Sequence, residues 1–217
     1  MGSRVVTLVL LLGLALSLLL LVPQISARRL PGNQQGYEPV QPVAFSHRLH
    51  AGELQVGCLY CHAGAEKSRH AGIPPANVCM NCHRFVTAPL GAIRAEDDLA
   101  RKEGRKPRPV ISPELGKLYA ALALDEGMQP DPGKEPRPLA WTRVHTVPDF
   151  VYFDHRPHVS AGIMCQQCHG PVETMERVRQ AEPLTMGWCV NCHREVTRTG
   201  VAGKKVAASI DCSTCHY

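Results

Sequence analysis

The sequence predicts a mainly α-helical fold of short helices and loops, with little β-structure, behind one N-terminal transmembrane helix. Three observations predict it. All ten cysteines fall into five Cys-x-x-Cys-His strings. The 217 residues include eighteen Pro and eighteen Gly but only four Phe, two Trp and five Tyr, a poor inventory for an ordinary apolar core. Residues Val5 to Val22 form an apolar run interrupted only by Thr7, Gly13 and Ser17.

The strings are Cys58-Leu-Tyr-Cys61-His62, Cys79-Met-Asn-Cys82-His83, Cys165-Gln-Gln-Cys168-His169, Cys189-Val-Asn-Cys192-His193 and Cys212-Ser-Thr-Cys215-His216. Cys-x-x-Cys-His is the attachment pattern of c-type haem. Two thiols three residues apart add to the two vinyl groups of one porphyrin, and the next histidine becomes the proximal iron ligand. Zinc knuckles or a disulfide framework would also use cysteine pairs, but neither requires a histidine after every second cysteine. Five pairs also fit poorly with all-cysteine zinc sites, which consume pairs two at a time. The chain therefore reads as a multihaem cytochrome c with five haem c. Each porphyrin supplies the large apolar face that the few aromatic residues do not, so stability should be inseparable from the covalent cofactors.

The eighteen-residue run Val5 to Val22 is long enough to span a bilayer, whereas a secretory h-region is usually about 7–15 residues. Residues 1–27 are therefore read as a retained single-pass anchor, with Ile25-Ser26-Ala27 after Pro23 as the competing signal-peptidase site. Apocytochrome c receives haem outside the cytoplasmic membrane, which places the haem domain on the periplasmic side. Arg28 and Arg29 run against the positive-inside rule, and the haem chemistry outweighs them. The formal charge of +5 does not indicate nucleic acid. Five haems bring about ten propionates, and no basic stripe is interleaved with aromatic residues. The basic run Arg101 to Arg108 reads as a solvated linker.

The haem strings fall into two clusters that resemble each other. Phe45-Ser-His47-Arg-Leu-His50 precedes Cys58 and Cys79-Met-Asn-Cys82-His83-Arg84; Phe153-Asp-His155-Arg-Pro-His158 precedes Cys165 and Cys189-Val-Asn-Cys192-His193-Arg194. A two-haem unit has been duplicated, with the fifth string appended. Residues 28–84 form a first two-haem module, 85–140 a linker with one helix, and 141–217 a second module with three haems. In the linker, Ser112-Pro113-Glu114 is a helix start, and the helix is expected to run through Leu115–Leu124 and stop at Gly127. Five prolines or glycines from Pro130 to Pro138 then exclude helix and central strand. The linker is read as either a spacer or a clamp for a partner subunit.

Six histidines lie outside the strings. His47 with His50, and His155 with His158, are three apart, so one helical turn carries both and can reach two porphyrins. With His145, in Trp141-Thr-Arg-Val-His145, they make five candidate distal ligands for five irons. His70 is the surplus member. Met175 and Met186 are the candidates for replacing one histidine, which would raise that potential, with core packing as their ordinary role. No nucleophile–base pair, paired carboxylates or glycine-rich phosphate loop stands out, so the polypeptide is not expected to be an enzyme.

The chain resembles the pentahaem cytochrome c subunit (ActA) of bacterial alternative complex III over essentially its whole length. The resemblance is carried by the N-terminal span, Phe45 to His50, Ala71-Gly-Ile-Pro74 before Cys79, Trp141 to His145, Asp149 to Phe153, Cys168-His169-Gly170-Pro-Val172 and Leu184-Thr-Met-Gly-Trp-Cys189. The paired-histidine strings are also similar to class III cytochromes such as tetrahaem c3 and trihaem c7. The resemblance implies a non-catalytic electron-transfer subunit of a quinol-oxidising respiratory or photosynthetic complex. Its implied partners are membrane quinol-binding subunits, an iron–sulfur subunit and monohaem cytochromes c. Electrons would pass to a soluble carrier or a terminal oxidase. Two alternatives remain. A NapC/NrfH-type quinol dehydrogenase usually has a haem string close after its span, whereas residues 23 to 57 intervene here. A multihaem reductase needs an open iron position, which five distal histidines would close.

Overall fold

The computed structural model describes residues 2–27, 34–125 and 127–217. Arg28 and Arg29, weighed above for orientation, lie outside the described residues. Helix α1 covers Gly2–Ala27. Its large apolar side chains from Val5 to Leu21 are exposed, without the polar face of a surface helix. The stretch Arg4–Leu21 is long and apolar enough to cross a membrane. Eighteen residues at helical rise reach about 27 Å, close to the hydrocarbon thickness.

The remainder is short helices joined by loops. A π-type turn covers Arg48–Glu53, with Leu54 N–H bonded to the Leu49 carbonyl. It is followed by α2 (Cys58–Cys61), a 3-10 turn (Ala63–Glu66) and α3 (Ala76–His83). Next come α4 (Leu90–Glu103) and α5 (Pro113–Ala121). The second half contains α6 (His155–Ala161), α7 (Gln166–His169), a 3-10 turn (Val172–Thr174), α8 (Met186–Thr199) and α9 (Cys212–Cys215). Among the described residues β-pairing is limited to isolated bridges, including Leu124 with Pro130 and Val151 with His216.

The segment 85–140 carries two helices rather than one. Helix α4 has no side-chain N-cap, because Pro89 stands there, and it ends at Gly104 in the left-handed conformation. Its inward face includes Glu96, whose carboxylate takes the Arg105 guanidinium at 2.5 Å and the Arg108 backbone N–H at 2.8 Å. These bonds hold the Glu96 carboxyl down at about 2. The basic run is thus partly helical, with Arg105 folded back and its other seven residues exposed to solvent. Helix α5 begins as expected, with Ser112 Oγ accepting from Leu115 N–H and proline next. It ends at Ala121 instead of reaching residue 124. Ala123 is left-handed at φ 54°, and the Ala121 and Ala123 carbonyls are taken by Arg137 and Asp131 N–H.

This segment packs on the first module. Met80 of α3 meets Leu118 and Tyr119 of α5 in a small apolar cluster, and Tyr119 Oη donates to the His83 carbonyl at 2.6 Å. Glu114 accepts from Ala44 N–H at 2.7 Å. The two haem-string regions also meet. The π-turn lies on the Val172–Thr174 turn, and α6 lies on the Ala63–Glu66 turn. Arg48 N–H bonds the Met175 carbonyl, while Ser46 and the Arg48 side chain both bond Glu176. The backbones approach so closely that a Cβ on Gly52 would lie 2.2 Å from the Glu173 carbonyl oxygen.

Candidate functional site

Each Cys-x-x-Cys occupies about one helical turn, so its two thiols share a side and the next residue is a histidine. The first and fifth strings are α2 and α9, the second ends α3, the third spans the start of α7, and the fourth lies within α8. All ten thiols are free of disulfides. Among the described residues no three His, Cys, Asp or Glu side chains converge as a metal cluster.

Four of the histidines outside the strings come to face histidines inside them. His47 faces His62 with ring centres 6.5 Å apart and planes 4° from parallel. His155 faces His169 at 6.3 Å and 6°. His50 lies 6.1 Å from His83, and His158 lies 6.0 Å from His193. Two imidazoles on opposite sides of one iron, each nitrogen about 2 Å away, have ring centres about 6.3 Å apart. The four separations fit a haem iron between each pair.

Hydrogen bonding prepares these rings for the same task. Nδ1 of His62, His83 and His193 bonds the carbonyls of Gly72, Val86 and Ser209 at 2.7, 2.8 and 2.5 Å. Nδ1 of His50, His155 and His158 bonds the carbonyls of Ser46, Arg69 and Asp154, each at 2.8 Å. A carbonyl only accepts, so Nδ1 carries the proton and the Nε2 lone pair is left for a metal. Burial favours the neutral ligating form as well. It lowers His47 to about 4 and His169 to about 3, reinforced by neighbouring imidazoles.

Phe45 and Phe153 have a role that periodicity alone did not reveal. Phe45 lies edge-on to His47 at 4.9 Å and stacks on His50 at 4.3 Å. Phe153 repeats this with His155 at 4.9 Å and His158 at 4.8 Å. Each ring is a wedge against which two histidines are held toward different strings.

Two comparisons with known proteins bear on this geometry. Residues 151–217 match the family model described as cytochrome c7 and related cytochrome c. The chain is also similar to the multihaem cytochrome c subunit of menaquinone reductase from Nitratidesulfovibrio vulgaris strain Hildenborough. That alignment is 24% identical over 196 residues and covers 81% of this chain and 76% of the relative. The fold is that of a multihaem cytochrome c. Its work is electron transfer.

The cytochrome's fifth string departs from the pattern of the other four. The ring that faces His216 is Phe150, at 5.8 Å and 28°. The chain before α6 is pinned along this string. Val151 bridges His216, Tyr152 N–H bonds the Cys215 carbonyl, and Tyr217 Oη bonds the Asp149 carbonyl. His145, expected as the fifth distal ligand, does not face His216. It sits edge-on to His169 at 4.3 Å, its Nε2 3.2 Å from His169 Nδ1. Burial and the nearby His155 lower it to about 4. His70, the surplus histidine, is exposed. Met175 is 5% exposed and packs against Gly170, whereas Met186 is 69% exposed on the first turn of α8.

The strings of the cytochrome are not arranged in chain order. Tyr60 of the first accepts from Asn81 of the second at 2.9 Å. Burial, and then the nearby Cys58 of the first string, raises the thiol pKa of Cys165 in the third. Cys168 is pushed up to about 11 by burial and by Cys192 and Cys189 of the fourth string. Cys189 is raised by burial and then by Cys215 of the fifth. Neighbour follows neighbour as second, first, third, fourth, fifth.

Proposed function

We propose that this chain is the electron-transfer subunit of a membrane quinol-oxidising complex of the alternative complex III kind, carrying five covalent haems. Cys58 with Cys61, Cys79 with Cys82, Cys165 with Cys168, Cys189 with Cys192 and Cys212 with Cys215 would hold the porphyrins. His62, His83, His169, His193 and His216 would be the proximal ligands, with His47, His50, His155 and His158 opposite the first four in that order. Bound haem supplies reversible one-electron uptake and release. The polypeptide fixes the tautomer of six of these imidazoles through backbone carbonyls, half-buries the ligands and sets neighbouring strings side by side. The observation that carries the reading is the set of four facing imidazole pairs at 6.0–6.5 Å.

Helix α1 would anchor the subunit by a single pass, uncleaved, with the haem domain on the periplasmic side of the cytoplasmic membrane. Quinol chemistry would belong to membrane partners, joined by an iron–sulfur subunit and a monohaem cytochrome c of the same complex. Among the described residues there is one span, without a second such helix or an ionisable residue after Arg4 within it, from which to build a quinol pocket. The relative's name, menaquinone reductase, favours a second reading in which electrons run toward quinone instead of away from it. The same row of sites serves either direction. Intact-mass measurement of the denatured, matured protein tests the cofactor count. Five haem increments with no free thiol are expected, and four or fewer would overturn the five-haem reading.

A further inference from the structure

We propose that His145 is a positioning residue that acts on the third iron through His169, and that it is not the distal ligand of the fifth. The proposal rests on the reading of the strings as haem sites. Its starting point is a contrast among the proximal histidines. Those of the first, second and fourth strings donate Nδ1–H to backbone carbonyls. Nδ1 of His169 instead meets a side chain, Nε2 of His145, at 3.2 Å.

The direction of that bond follows from the chemistry. His155 faces His169 at 6.3 Å and 6°, so the Nε2 lone pair of His169 is needed for iron. Its proton therefore sits on Nδ1 and is donated to Nε2 of His145. Nε2 of His145 is then committed as an acceptor, and the proton of His145 lies on its own Nδ1. The two rings meet edge-on, with centres 4.3 Å apart and planes at 80°.

The backbone around His145 supports a fixed role. Gln41 of the first module clamps Thr142 by two hydrogen bonds of 2.9 Å, one to its carbonyl and one from its N–H. Beyond His145, the bridge at Val151 and the hydrogen bond from Tyr152 tie the chain to the fifth string. Between these anchors it is Phe150 that reaches His216. An imidazole nitrogen accepting from Nδ1–H makes His169 a more basic ligand and favours the ferric state. The third site, in the middle of the row, is thereby given a lower potential than it would have with an apolar neighbour.

Two variants of the full haem-loaded protein test this, His145→Leu, which removes the acceptor, and His145→Gln, whose amide oxygen can still accept. Intact mass is measured first, and fewer than five haems in the parent protein would count against the haem reading itself. Ferric spin-state quantitation and carbon monoxide binding after reduction come next, followed by a stepwise redox titration. The expected result is no gain in high-spin or carbon monoxide-reactive haem in either variant. One midpoint should rise in His145→Leu and return toward the parent value in His145→Gln. A gain of one high-spin, carbon monoxide-reactive haem per chain in both variants would show that His145 is an axial ligand. Unchanged midpoints in His145→Leu would overturn the positioning role. If His145→Leu fails to mature, the spin count of His145→Gln decides between ligand and acceptor.

Discussion

Replacing Gly52 by alanine perturbs the contact that joins the two haem modules. The added Cβ would lie 2.2 Å from the Glu173 carbonyl oxygen and 3.3 Å from its carbon. Ordinary contact begins at 3.4 Å, so the two backbones must part by about 1.2 Å. Neither side yields easily. Gly52 lies inside the π-turn that follows His47, and Glu173 lies in a 3-10 turn whose exit at Met175 is bonded to Arg48. Over-packing of this kind costs about 1–3 kcal/mol. In a chain of this size, that lowers the melting temperature by on the order of 5 °C. Calorimetry of matched, fully haem-loaded proteins is the assay. Gly187→Ala is the control, since nothing lies within 4 Å of its added Cβ and alanine suits a helix better. Stability of Gly52→Ala equal to the parent would refute the close seam between the modules.

Other expectations follow from the same geometry. His155→Ala removes the ring facing His169, so one haem in five should become high-spin and bind carbon monoxide after reduction; an unchanged spin state would refute the pairing. His47→Ala should act in the same way on the first string, whose His62 it faces. Mature protein isolated from membranes should begin at or near Met1, because α1 is long enough to serve as an anchor; an N-terminus at Arg28 would show that it is a removed signal.

The parts of the site legible in the sequence are those fixed locally. A Cys-x-x-Cys-His string declares its own chemistry, and two histidines three apart declare that one turn carries both. What is not legible locally is the full set of proximal rings they face, because that depends on the seam where Gly52 meets Glu173 and Arg69 meets His155, pairs more than eighty residues apart in the chain. His145 shows the limit of counting. Five irons ask for five partners, but a count says nothing about where Nε2 points, and it points to His169. Helix α4 leaves little local signal, because it opens after proline without a capping side chain and carries charge on its inward face. The start of helix α5 is legible in Ser112-Pro113, yet its end is set by tertiary hydrogen bonds to the Ala121 and Ala123 carbonyls rather than by Gly127. Phe45 and Phe153 were visible as landmarks of a repeat, and only their contacts show them to be wedges.

The central claim is that the chain conducts electrons and leaves quinol chemistry to its partners. The isolated, haem-loaded protein, mixed in a stopped-flow instrument with a menaquinol analogue, tests it most directly. Reduction should be slow, although small redox mediators and cytochrome c exchange electrons with the same sample rapidly. Rapid reduction by the quinol analogue, blocked by a quinol-site inhibitor, would contradict the account and make the chain a quinol dehydrogenase in its own right.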